Sequence, residues 1–229
     1  MSSPFYISPE QHYQDKAEYA RKGIARGRPM VALEYDGGVV MLAENRSTHL
    51  RKIAEIYDRI AFGGVGKLDE YENLRKSGVR YADLQGYSYS REDVSGKSLA
   101  NEYSTVLGSI FTREMKSLEV EILVVDVGDE SASFYRITFD GSLTDHDHFV
   151  SIGGDPDSLM GMLKGDWKAN LTLEEAIGLG RKALSSAADG TEIGDLNEGA
   201  LEIGILERSR EGRKFRRLSE PEIAELLGR

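Results

Sequence analysis

Between Met30 and Gly64 the chain holds four short apolar runs with no room for a helix between the members of either pair. Met30 to Tyr35 and Val39 to Ala43 flank Asp36-Gly37-Gly38, and Lys52 to Ile56 and Arg59 to Gly64 flank Tyr57-Asp58. Short turns of this kind join antiparallel strands, whereas a parallel pair needs a crossover of about a dozen residues or more. The pattern returns in Val120 to Val127, Ser133 to Phe139 and His146 to Ile152, punctuated by Gly128-Asp129 and Asp140-Gly141. It closes with Leu201 to Glu207 and Lys214 to Leu218 around Arg210-Glu211-Gly212. Runs of strands arranged this way exclude an alternating parallel α/β sheet. Nine strands are also many for one open twisted sheet, so two sheets are expected.

Helical periodicity fills the gaps. Ser8-Pro9-Glu10-Gln11 reads as a helix start, with Ser8 as N-cap, Pro9 at the first helical position and Gln11 closing a capping box. Tyr13, Ala17, Ala20 and Ile24 then share one face, which predicts a helix from Pro9 to Arg26 with Gly27 as its C′ residue. Leu68, Tyr71 and Leu74 mark a second helix, followed by a loop around Gly86 to Gly96. Leu99, Tyr103, Val106, Leu107, Ile110 and Phe111 mark a third. Two more helices follow the middle strands. Thr172 and Glu175 open the second of these, which carries Leu173, Ala176, Ile177, Gly180, Leu184 and Ala187. Ser219 and Glu222 cap a short terminal helix. The expectation is an α+β fold: a four-layer αββα sandwich of two antiparallel sheets, each backed by a helix pair, with an extra N-terminal helix. One domain spans 1–229.

Composition narrows function. A globular chain of 229 residues buries a large core without metals or disulfides. With no Cys, disulfide scaffolds, thiolate metal sites and Cys nucleophiles are excluded. No leader and no window of about 18 apolar residues is seen, so the expectation is a cytoplasmic protein without a membrane partner. The chain has 29 basic against 39 acidic side chains, a net −10, which argues against nucleic acid as a partner. The charge is uneven: basic in 1–30, acidic in Asp155 to Glu202, and strongly basic in Arg208 to Arg217. The bland reading of that unevenness is a solvated face.

Familiar catalytic patterns fail one by one. In a single strand, His146 and His148 face one way while Asp145 and Asp147 face the other, so the four do not converge on a metal. Gly63-Gly64-Val65-Gly66-Lys67 lacks the glycine spacing and the following hydroxyl of a phosphate loop, since Ala61 and Leu68 stand there. No Gly-x-Ser-x-Gly elbow occurs. Asp155 with Asp157 and Glu174 with Glu175 are helix N-terminal charges favoured by the macrodipole. No catalytic residue, cofactor or metal is predicted.

Ser8-Pro9-Glu10 through Ala17-Glu18-Tyr19-Ala20-Arg21-Lys22-Gly23-Ile24 resembles the N-terminal signature of proteasome α-type subunits. The resemblance continues through Val39 to Arg46, Arg51-Lys52-Ile53 and Gly63 to Gly66, and covers essentially the whole chain. Ile7 to Gln11 together with Ala20 to Gly27 is similar to the actinobacterial type. That family has the αββα sandwich of the N-terminal-nucleophile hydrolases. Catalysis in its β-type members needs a Thr whose own amine is free at the start of the first strand. Here that strand opens Gly27-Arg28-Pro29-Met30, without Thr, Ser or Cys, behind a helix.

The resemblance therefore implies a noncatalytic subunit of a threonine-type endopeptidase complex. Its partners would be further copies of itself in a heptameric ring, a β subunit, an activator ring ATPase of the AAA+ class, and unfolded protein substrates in transit. Residues 1–9 would be the gate segment and 9–27 the N-terminal helix. Phe5, Tyr6 and Ile7 give the gate apolar bulk, Ser8 and Pro9 lie at its root, and Tyr19 stands where the family places the packing partner of the Pro9 turn. The Tyr-Asp-Arg motif of archaeal and eukaryotic relatives is missing upstream. Lys52, Gly27 and Gly66 match the pocket that receives activator tails, Lys52 pairing the tail carboxylate, while Lys67 replaces an apolar residue. Two other readings compete: a catalytically competent amidase or peptidase of the same fold, and a small-molecule-binding αββα domain.

Overall fold

A computed structural model describes residues 8–47, 49–186 and 198–227. A helix α1 (Pro9–Ala25) leads into the strands β1 (Met30–Tyr35), β2 (Gly38–Glu44), β3 (Ile53–Tyr57) and β4 (Ile60–Gly66). The helices α2 (Leu68–Ser88) and α3 (Gly96–Arg113) follow, then β5 (Val120–Val127), β6 (Ala132–Ile137), β7 (Leu143–His146) and β8 (Phe149–Ile152). The chain ends with α4 (Pro156–Asp166), α5 (Leu173–Ser186), β9 (Leu201–Glu207), β10 (Phe215–Arg217) and α6 (Glu220–Leu226). Ala187, expected to extend α5, lies outside the described residues.

The strands form two five-stranded sheets, ordered β10-β9-β2-β1-β8 and β3-β4-β5-β6-β7, with every pairing antiparallel. Alternation along the central strands builds three apolar layers. On β1, Val31 and Leu33 meet Ile177 and Leu184 of α5, while Met30 and Ala32 point between the sheets. On β5, Leu123 and Val125 enter the same inter-sheet layer, while Ile122 and Val124 meet Leu99 and Tyr103 of α3. Both faces of each strand are thus covered, which explains why β1, β2 and β5 read as continuous apolar runs rather than alternating ones. The order of layers is helix, sheet, sheet, helix, as expected.

The helix starts follow their caps, with one exception. Ser8 Oγ accepts from the Gln11 amide at 3.1 Å, but the Gln11 side chain turns along the helix to Asp15 at 2.7 Å, so only half of the predicted box forms. Thr172 and Glu175 cap each other reciprocally, and the Glu222 carboxylate accepts from both Ser219 N and Ser219 Oγ. α2 runs on to Ser88, through the start of the expected loop. Gly86 permits this because a side chain there would strike the Tyr57 hydroxyl, so it is a packing glycine rather than a terminator.

The single strand expected over His146 to Ile152 is two strands in different sheets. β7 pairs with β6, β8 pairs with β1, and the chain crosses between the layers at Asp147-His148. His148 takes a left-handed φ of 65°, and its carbonyl accepts from Glu34 N at 2.6 Å. His146 and His148 therefore do not share a strand face. Instead His148 stacks on Trp167 at 4.4 Å, with Nδ1 2.8 Å from a Glu34 carboxylate oxygen. The basic run also departs from a plain solvated face. Arg208, Arg213, Arg216 and Arg217 are paired with Glu34, Glu55, Glu207 and Glu202.

Candidate functional site

Three backbone segments meet where α1 runs into β1. Gly66, the last residue of β4, has φ 108°, and a Cβ on it would drive into the Glu119 carbonyl. Only glycine satisfies both conditions. A Cβ on Gly27 would lie 2.7 Å from Val65 Cγ1 and 3.1 Å from Gly66 N. Gly27 was expected to supply a left-handed helix end, but Arg26 closes α1 in ordinary helical geometry and Gly27 lies outside the left-handed set. Its smallness serves contact with the end of β4.

Lys52 reaches the same place from the start of β3. Its ammonium donates to the Arg28 carbonyl at 3.0 Å, one residue beyond Gly27, and its own carbonyl accepts from Gly64 N at 3.0 Å. Lys52, Gly27 and Gly66 are thus brought together. Burial pushes the Lys52 pKa down to about 8 and Arg28 adds to the fall, while the carboxylates of Glu44 and Glu202 work against it. Glu44 is buried and itself faces Arg28 at 3.5 Å and Arg46 at 3.2 Å. Lys67 is turned elsewhere, toward Glu70 at 3.3 Å and Asp69 at 3.5 Å in the first turn of α2.

Glu202 escaped the reading of the sequence. It is a buried carboxylate on β9 that accepts from Lys52 N at 2.9 Å, Ile53 N at 3.2 Å and Asn45 Nδ2 at 2.7 Å, and pairs with Arg217. Nothing local marks it, because the residues it holds lie far away in the chain. Lys16 was missed as well. On a helix face expected to be polar, it is buried and donates to the Phe111 and Glu114 carbonyls at the end of α3.

The expected gate residues are distributed differently. Phe5, Tyr6 and Ile7 lie outside the described residues. Ser8 and Pro9 open α1, and Tyr19 sits ten residues further on, about 15 Å along the helix axis. Within one chain Pro9 and Tyr19 are therefore apart. Tyr19 is 53% exposed, with the Lys116 ammonium 5.8 Å from its ring centre.

Among the described residues no group of three His, Cys, Asp or Glu side chains is placed to hold a metal ion. None of the described helices is long and apolar enough to cross a membrane.

A family profile described as "Proteasome subunit" matches residues 24–205. Proteasome subunit alpha of Kineococcus radiotolerans is 52% identical over 233 residues, spanning 99% of this chain and 98% of the relative. The proteins of the same name from Saccharopolyspora erythraea and Thermobifida fusca are 49% and 48% identical, each over 99% of this chain and 89% and 91% of their own lengths. This chain belongs to the proteasome subunit family.

Within the proteasome family it is an alpha-type chain of the actinobacterial kind. The start of β1 agrees with a noncatalytic alpha type. Met30 stands there fully buried, its side chain packed between the sheets, and Pro29 and α1 precede it without a break. A strand start of this kind presents neither a nucleophilic hydroxyl nor a free amine.

Proposed function

We propose that this chain is a noncatalytic alpha-ring subunit of the proteasome core particle. Seven copies form an end ring on a ring of beta subunits, which carry the threonine-type endopeptidase activity. The segment before α1 gates substrate entry, and the Lys52 locus docks the C-terminal carboxylate tails of an activator ring ATPase that feeds in unfolded protein.

The observation that carries the docking reading is the state of Lys52. An ammonium has three donors, and among the described residues this one spends a single donor, on the Arg28 carbonyl. It is partly desolvated, held at a glycine-lined junction, and among the described residues paired with no carboxylate at hydrogen-bond distance. A terminal carboxylate arriving there gains a charge-assisted contact worth roughly 1.5 to 3 kcal/mol. The noncatalytic reading rests on Met30 at the start of β1.

The test uses the core assembled with its beta partner. With Lys52→Ala, degradation of a folded substrate driven by the ATPase is lost, while hydrolysis of short peptides without the ATPase continues. Equal loss of both, or of neither, rejects the docking role. Deleting Ser2 to Ser8 tests the gate: peptide hydrolysis speeds up if that segment closes the pore.

A further inference from the structure

We propose that Glu202 is the positioning residue of the Lys52 docking site, a carboxylate that reaches from one sheet to the other and fixes the free edge of β3 beneath the lysine. This rests on the docking role of Lys52.

β9 directs Leu201, Ile203 and Ile205 toward the α5 layer and Leu206 between the sheets, so Glu202 shares the inter-sheet face. Only 4% of it is exposed. β3, by contrast, is the edge of the other sheet, and among the described strands it pairs with β4 alone. An edge strand carries amides and carbonyls that need partners. Glu202 supplies acceptors to Lys52 N and Ile53 N, and Arg217, which pairs with the same carboxylate, donates to the Ile53 carbonyl at 2.6 Å. Together the two side chains do at this edge what a neighbouring strand would do. Asn45 closes the arrangement, bridging Glu202 at 2.7 Å and the Leu50 carbonyl at 2.8 Å, and so holds the β2–β3 connection from which Lys52 emerges.

The carboxylate has no spare capacity. Its four donors are Lys52 N, Ile53 N, Asn45 Nδ2 and Arg217 Nη1, which occupy the lone-pair sites of an ionised carboxylate. It therefore acts through Lys52 and does not itself meet the ligand. It acts in two ways: by fixing where the lysine backbone stands, and by adding a negative charge that, with Glu44, opposes the effects of burial and of Arg28 on the ammonium. A merely structural staple would share the first property and lack the second, and this separates the two by experiment.

The probe is a fluorescein-labelled octapeptide with apolar terminal residues and a free C-terminal carboxylate, titrated into the assembled core between pH 6 and 9.5, with its C-terminal amide as control. For the unmodified core, the carboxylate form binds in preference to the amide, and its affinity begins to fall near pH 8. Glu202→Gln keeps an acceptor and removes the charge. It is expected to bind at least fivefold more weakly, with the fall beginning at least half a pH unit lower. If Glu202→Gln binds with unaltered affinity and midpoint while Lys52→Ala abolishes binding, the positioning role is overturned and the docking role stands. Unaltered binding by Lys52→Ala overturns both. Where Glu202→Gln does not fold, Asn45→Ala carries the test, because it removes one donor and leaves the charge. Loss of the preference for the carboxylate over the amide at an unshifted midpoint supports the proposal, and unchanged affinity, or equal weakening of both forms, overturns it.

Discussion

At Gly66 a positive φ and a facing carbonyl coincide, so any side chain there is strained in conformation and obstructed at once. Residues forced into sparsely populated backbone regions cost about 1 to 3 kcal/mol before any clash is counted. Gly66→Ala is therefore expected to lower stability by at least about 2 kcal/mol, read from the shift in urea midpoint, and a change below about 0.5 kcal/mol would contradict the geometry. Lys52 makes the second prediction at this scale. Its ammonium is favoured by an arriving carboxylate, so the bound form has a higher pKa than the free form at about 8. Tail affinity is then flat below pH 8 and falls by up to about tenfold per unit above it, until the bound pKa is reached. A flat profile to pH 9.5 would show that Lys52 does not titrate near pH 8 in the free site. That Lys52, Gly27 and Gly66 lie together was legible because the family resemblance carries their positions. Glu202 was not, since a buried acid held by Asn45, Lys52, Ile53 and Arg217 is defined by tertiary neighbours alone.

For a helix of 17 residues, α1 has thin apolar support. Its buried apolar residues are Ala20 and Ile24, packed with Phe111 and Phe139 in a cluster separate from the three main layers. Lys16 compensates by donating to two carbonyls at the C-terminal end of α3, with its ammonium 5.2 Å from the Phe111 ring centre. Cations are favoured at a helix C-terminus, and hydrogen bonds from a charged donor contribute roughly 1.5 to 3 kcal/mol. Lys16→Met is expected to raise amide exchange across α1 by about tenfold or more, with β5 protected as before. Equal exchange in α1 of both proteins would remove Lys16 as its anchor. The start of α1 was readable from Ser8-Pro9, and the two early hairpins from their turns, because these signals are local. The division between β7 and β8 was not. The residue that turns the chain is His148, and a left-handed histidine leaves no mark comparable to a glycine. α2 outran its predicted end for the opposite reason: Gly86 looks like punctuation and is a contact.

For the whole molecule, the αββα order was accessible from the alternation of strand runs and helix pairs, whereas the assignment of β7 and β8 to different sheets emerged only from pairing. The surface raises the question of assembly. Leu84, Tyr87 and Tyr89, near the end of α2, are 64%, 92% and 75% exposed, and Met115, just past α3, is 91% exposed. Side chains of this size and exposure are the ones that a partner in an assembly would cover. Opposing that, each chain carries a net −10, so copies brought into one ring repel one another. The repulsion extends about 30 Å at 0.01 M salt but only about 8 Å at 0.15 M, whereas burial of apolar surface does not weaken with added salt. A ring held mainly by apolar contact should therefore assemble more completely as salt rises from 0.01 to 0.15 M. Native mass measurements with the beta partner present should show the monomer giving way to a species containing seven copies of this chain. A monomer at every salt concentration would reject ring assembly, while a ring that falls apart as salt is added would place its cohesion in ion pairs instead.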